Sequence, residues 1–206
     1  MSHFFLKRIP QFLSIIFHPL LMPTIGIYIV LNSGTNMSLL TDEAKYMLLT
    51  VTALFTFGLP LAFIPILFYH KLTSSIEMGE KRERTAPLLI TSVLYYLLFY
   101  LLRQMGVPGF IQAFQLASTI AVFVTLIITL KWKISAHLVG IGGIIGLIII
   151  LSVFYHVNLL FFLMVAMFLA GCLAFARLSL NAHTPGQVYA GLATGLLIMV
   201  ATLILF

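Results

Sequence analysis

The stretch AHLVGIGGIIGLIIILSVF, residues 136–154, contains no Asp, Glu, Lys or Arg. A helix rises 1.5 Å per residue, so about 20 apolar residues cross a hydrocarbon core of roughly 30 Å. Inside that core each backbone N–H and C=O must be satisfied within its own helix or within a closed barrel. Stretches of this kind recur at about residues 11–32, 46–70, 87–103, 112–131, 135–154, 158–176 and 186–206. None shows the strict alternation of a barrel strand, so the spans are read as helices. The composition agrees: 62% of residues are hydrophobic, only 8% are charged, and the mean hydropathy is +1.15. A soluble domain of this length exposes far more charge. The expected fold is therefore an all-α, polytopic helical membrane protein with about seven spans.

Residues 1–45 form an N-terminal span and loop, and residues 46–206 the remaining core. The N-terminal sequence has a basic start followed by apolar residues, like a secretion signal. No small-x-small cleavage site precedes LNSGTN, which makes it a retained span. Pro19 and Pro23 make that span a candidate for a kink or a re-entrant path. The single cysteine, Cys172, rules out an internal disulfide.

Polar residues gather in three places: KLTSSIEMGEKRERTAP at 71–87, KWKISAH at 131–137 and ARLSLNAHTPGQ at 176–187. Two spans separate each cluster from the next, and an even number of crossings returns the chain to the same surface. Lys71, Lys81, Arg82, Arg84, Lys131, Lys133 and Arg177 therefore share one face with His70, His137 and His183. The positive-inside rule accounts for the cations but not for histidines at the starts of two helices. That rule favours a cytoplasmic face, although the site's own cations inflate the count.

A basic pocket at a bilayer surface suits a phosphate headgroup, through guanidinium forks and helix N-terminal N–H groups. Ser135 and His137 fall at the start of the fifth span. Thr184 reads as an N-cap, with Pro185 at N1 and Gln187 at N3, which places His183 just before a helix N-terminus. Two histidines can divide phosphoester cleavage into nucleophilic attack and protonation of the leaving oxygen. No cofactor or metal is called for. Asp42 is the only aspartate and lies on the opposite face. The pI of about 9.6 follows from the pocket and membrane anchoring, with no nucleic acid implied. Simpler readings stand beside these: Arg177 as an interfacial anchor, Gln187 as a capping residue only, and His18 as a packed or interfacial residue.

The order and spacing resemble the membrane type-2 phosphatidic acid phosphatase superfamily, with its Lys-x6-Arg-Pro, Pro-Ser-Gly-His and Ser-Arg-x5-His-x3-Asp signatures. Arg177 and His183 reproduce the Arg-x5-His core of the third, ISAH at 134–137 keeps the serine and histidine of the second, and KRERTAP at 81–87 corresponds loosely to the first. HTPGQV at 183–188 is also similar to the dolichyl- and polyprenyl-diphosphate phosphatases. The departures are Ile134, Ala136, Ala176 and Gln187 at motif positions, and a first motif without its lysine spacing.

The resemblance implies a six-helix phosphatase-like core with the first span added. It also implies His183 as nucleophile, His137 as acid and Gln187 as the residue orienting His183. Arg177, Arg84, Lys81 or Arg82, and Ser135 would bind phosphate. The substrate would be a lipid phosphomonoester or polyprenyl diphosphate entering from the bilayer, with the protein in a bacterial inner (plasma) membrane. The eroded motifs suggest an alternative, a family member that binds or carries such a lipid without hydrolysing it.

Overall fold

The computed structural model describes residues 2–73 and 82–206. Its helices are α1 (Ser2–Ile16), α2 (Met22–Asn32), α3 (Asp42–Ala53), α4 (Leu59–Tyr69), α5 (Thr85–Gln104), α6 (Gly109–Lys131), α7 (Ala136–Phe154), α8 (Leu160–Ser179) and α9 (Pro185–Leu205). No strand occurs among the described residues. Seven candidate spans result: Arg8–Asn32, Asp42–Tyr69, Arg82–Gln104, Gly109–Lys131, Ala136–Phe154, Leu160–Ser179 and Pro185–Leu205. The protein is thus an all-α, polytopic integral membrane protein.

The first span is broken at Phe17–Leu21. His18 precedes Pro19 and takes an extended backbone conformation. Its ring Nδ1 accepts the Leu20 N–H at 3.3 Å, capping a short 3-10 turn over Pro19–Leu21. Proline cannot continue the i to i−4 ladder behind it, and the residue before it is pushed out of helical geometry. α1 packs on α8, whereas α2 packs on α3 and α7. The second span is also interrupted, by a π turn over Leu54–Gly58. There Thr56 and Thr24 hydroxyls meet at 3.2 Å and tie the two broken spans together.

At the centre lies α7, with Leu138, Ile141, Ile144, Leu147, Ile148 and Leu151 buried against its neighbours. By contrast, Phe161, Phe162 and Phe168 of α8 are exposed, as expected for a face bathed in lipid. The closest helix pair is α7 with α9. A Cβ on Gly195 would fall on the Val139 carbonyl, one on Gly191 would approach the Ser135 oxygen to 2.7 Å, and one on Gly142 would strike the Leu192 carbonyl. Small residues at these positions let the two backbones touch, as small-residue faces do between membrane helices.

Gly195→Ala is expected to lower thermal stability by at least about 1–3 kcal/mol, the usual cost of overpacking. Gly171→Ala, whose Cβ would meet nothing within 4 Å, should leave stability unchanged or raise it. Circular-dichroism melting of both variants in detergent measures the contrast.

Candidate functional site

The segment between α8 and α9 is a continuous series of helix-ending and helix-starting devices. α8 closes in a Schellman turn: the Ala182 N–H bonds the Arg177 carbonyl at 3.1 Å, and the Asn181 N–H bonds the Leu178 carbonyl at 2.9 Å. Asn181 takes the left-handed conformation at φ 50°, one that asparagine tolerates better than most residues. Thr184 then caps α9, Pro185 fills its first turn, and Gln187 reaches back to the Thr184 N–H at 3.1 Å. Arg177 therefore sits in the last turn of one helix and His183 directly before the first turn of the next.

His183 is 7% exposed, and its Nδ1 lies 3.1 Å from the Lys133 carbonyl and 3.2 Å from Gln187 Oε1. The Thr184 N–H is a donor, so the Gln187 atom it meets must be the oxygen. Both neighbours of Nδ1 are then acceptors, and Nδ1 must carry the proton. In the neutral ring, Nε2 is left with its lone pair. That atom is buried and has no hydrogen-bond partner among the described residues. Burial, followed by the charges of Arg84 and Arg177, depresses the His183 pKa to about 4, while its bonds to Gln187 and Lys133 act the other way. At neutral pH the ring is uncharged and its free nitrogen is nucleophilic. The same Gln187 oxygen meets both the Thr184 N–H and His183 Nδ1, a geometry compatible with a capping and with an orienting residue.

α7 starts opposite this turn. The Ser135 N–H donates to the Gln187 carbonyl at 3.3 Å, while its own carbonyl accepts the Leu138 and Val139 N–H groups. Ser135 occupies the N-cap position, yet its hydroxyl makes no capping bond. It is fully buried without a partner among the described residues. A buried hydroxyl left unbonded costs about 1–3 kcal/mol, so Ser135 Oγ and His183 Nε2 are each suited to a polar ligand.

The cations act on the same histidine. Arg84, half-buried at the start of α5, acts electrostatically on His183 and on Lys133, as does Arg177. Burial and these two guanidinium groups hold the Lys133 amine below its ordinary value, with Glu83 opposing them. Arg82 is exposed, and Lys81 lies outside the described residues. His70 is exposed at the end of α4, where its ring stands edge-on to Tyr69.

Sequence reasoning placed the first span outside the site, whereas α1 reaches into it. The Ser14 carbonyl accepts from His137 Nε2 at 3.0 Å, and the Ser14 hydroxyl accepts from Arg177 Nη1 at 3.4 Å. One turn on, the His18 ring stands edge-on to His137, with centroids 5.7 Å apart. A histidine inside an apolar run is by default a functional suspect, and that was the available signal for His18. The Ser14 contacts rest largely on a backbone carbonyl, which no sequence pattern reveals. Among the described residues no three of His, Cys, Asp and Glu converge as metal ligands.

Below the charged groups lies a cavity of about 90 Å³ between the Pro19–Pro23 segment, α5, α6 and α7. Ala136, Leu88 and Pro19 line its upper part, next in sequence to or one turn beyond Ser135, Arg84 and His18. The lining hydroxyls of Thr91, Ser118 and Thr125 bond their own helices at Pro87, Phe114 and Ala121, so the cavity is apolar in effect.

No protein-family model matches the chain, and comparison with curated proteins and with solved structures likewise yields no match.

His183 should titrate near pH 4 in histidine-selective 15N NMR, with Nδ1 protonated in the neutral form. The unfolded ring titrates near 6.5, so the unfolded chain binds the extra proton first as pH falls. His183 stabilisation is therefore complete above about pH 6.5 and declines toward about pH 4. His183→Ala should flatten that part of the stability–pH curve, measured by thermal melting across the range.

Proposed function

We propose that the chain is a membrane lipid-phosphate phosphohydrolase. The observation that carries this reading is the pairing of two buried, unpartnered polar atoms, His183 Nε2 and Ser135 Oγ, with the Arg84 and Arg177 guanidinium groups. A phosphoryl group provides acceptors for the serine hydroxyl and the guanidinium groups, and an electrophilic phosphorus for the imidazole lone pair.

In the first step Nε2 forms a bond to phosphorus while the ester P–O bond breaks. The leaving oxygen takes a proton from the His137 imidazolium and departs as a lipid alcohol or lipid monophosphate, and His137 is reprotonated by the water of the next step. Water then attacks phosphorus, the N–P bond breaks, and inorganic phosphate leaves. Arg84 and Arg177 stabilise the charge on the equatorial oxygens, and Lys133 adds to that field. Gln187 and the Lys133 carbonyl hold the ring in the productive tautomer, as a triad carboxylate does. Lys81 or Arg82 would supplement the phosphate contacts. His137 serves as acid only as an imidazolium, because its Nε2–H is already given to the Ser14 carbonyl. That commitment also favours a second reading, a protein that binds a lipid phosphate or diphosphate without cleaving it.

The apolar cavity beneath the cations supports a lipid ester, with one segment of the acyl or prenyl chain seated below the headgroup and the rest in the bilayer. A plasma-membrane location, in bacteria the inner membrane, accords with such substrates.

The test is inorganic phosphate release by purified protein in EDTA. Phosphatidic acid, phosphatidylglycerol phosphate and undecaprenyl diphosphate form the panel. Release that falls by at least about 10³-fold in His183→Ala, with folding retained, is the expected result. No release by folded parent protein that still binds these lipids would leave the non-hydrolytic reading.

Ala121 lines the cavity. Ala121→Phe should raise KM for long-chain substrates about tenfold, equivalent to about 1.4 kcal/mol, and leave turnover of a short soluble phosphate ester unchanged.

A further inference from the structure

Three imidazoles meet at this site, and the protons of two are accounted for. His183 gives its Nδ1–H to the Lys133 carbonyl and Gln187 Oε1. His137 gives its Nε2–H to the Ser14 carbonyl. His18 differs, because its Nδ1 accepts from the Leu20 N–H. In the neutral ring the His18 proton must therefore be on Nε2, and no carbonyl or side chain among the described residues accepts it. The ring stands edge-on to His137. The preceding helix α1 carries Ser14, four residues before His18, which contacts both His137 and Arg177. His18 is thus the only one of the three with an N–H still available to a ligand.

We propose that His18 is a phosphate-binding residue of this site, donating its Nε2–H to a phosphoryl oxygen held between Arg177 and His183. The inference rests on reading the site as a phosphate site and does not require hydrolysis. A neutral imidazole donor of this kind binds an oxyanion without adding a fourth full charge to Arg84, Arg177 and Lys133. Its backbone bond at Nδ1 fixes the tautomer, as second contacts of histidines commonly do. The first span thereby becomes part of the binding site.

The capping and binding roles separate by substitution. Asparagine is a good N-cap, and its side-chain oxygen can accept the Leu20 N–H, but His18→Asn removes the distal donor. Binding of a fluorescent long-chain lipid phosphomonoester is measured for parent, His18→Asn and His18→Ala, with His70→Asn as control, and phosphate release from the lipids above is measured in parallel. The His18 Nε2–H resonance is followed in 15N-histidine protein during titration with the lipid phosphate and, separately, with the matching lipid alcohol.

Both His18 variants should bind at least about tenfold more weakly than parent. The resonance should move downfield with the phosphate and stay in place with the alcohol, and His70→Asn should match parent. Asparagine that binds like histidine, or an equal shift with the alcohol, overturns the inference and leaves the hydrolytic reading intact if parent releases phosphate. Binding through His18 with no release by parent overturns hydrolysis and leaves the inference standing. Absence of both binding and release overturns both.

Discussion

The site depends on how closely α7 and α9 approach. Gly142 of α7 and Gly191 and Gly195 of α9 leave no room for a side chain between the two backbones. That contact brings Ser135 within hydrogen-bonding reach of the Gln187 carbonyl, and the Lys133 carbonyl within reach of His183. In a membrane the hydrophobic effect gives helices little reason to prefer one another over lipid, so shape and interhelical hydrogen bonds determine the pairing. The glycines supply the shape, and polar bonds at the helix ends set the register. A shift of either helix by one turn would separate Ser135 from Gln187 and leave His183 without its carbonyl partner.

Much of this was legible in the sequence because the bilayer imposes such simple demands. Length and hydropathy alone placed the seven spans to within a few residues, and counting crossings brought KWKISAH and ARLSLNAHTPGQ to one surface. The capping signature around Thr184 gave the start of α9. What stayed hidden has a common physical cause. Ser14 contributes a backbone carbonyl to His137, and backbone groups have no residue-specific signature. The Leu20 N–H contact of His18 fixes its ring tautomer, which residue type alone does not reveal. The choice between Lys81 and Arg82 was open in the basic run. Only the 3-10 turn before α5 leaves Arg82 exposed and turns Arg84 inward.

The charges of the site gather at the ends of the spans. Arg84, Arg177 and Lys133 act on one another with Glu83 as the carboxylate that opposes them at Lys133. Such crowding of like charge makes an anionic occupant favourable and a protonated His183 unfavourable. Burial and these charges together keep the imidazole neutral with its lone pair at neutral pH, and the side chain at its Nδ1 is a glutamine and not a carboxylate. An aspartate in place of Gln187 would favour the imidazolium, the state in which the lone pair is lost.

The Schellman turn that ends α8 has a consequence for how this segment can vary. Its two backbone bonds count residues: Arg177 accepts from Ala182, Leu178 from Asn181, and the cap of α9 follows at Thr184. The interval from Arg177 to His183 is thus set by the bonds that close one helix and open the next. Insertion or deletion of a single residue would turn the arginine or the histidine away from its partner while leaving hydropathy and net charge unchanged. Natural length variation among chains of this architecture should accumulate in the loops on the opposite face. In this turn it should be absent even where the side chains themselves have diverged.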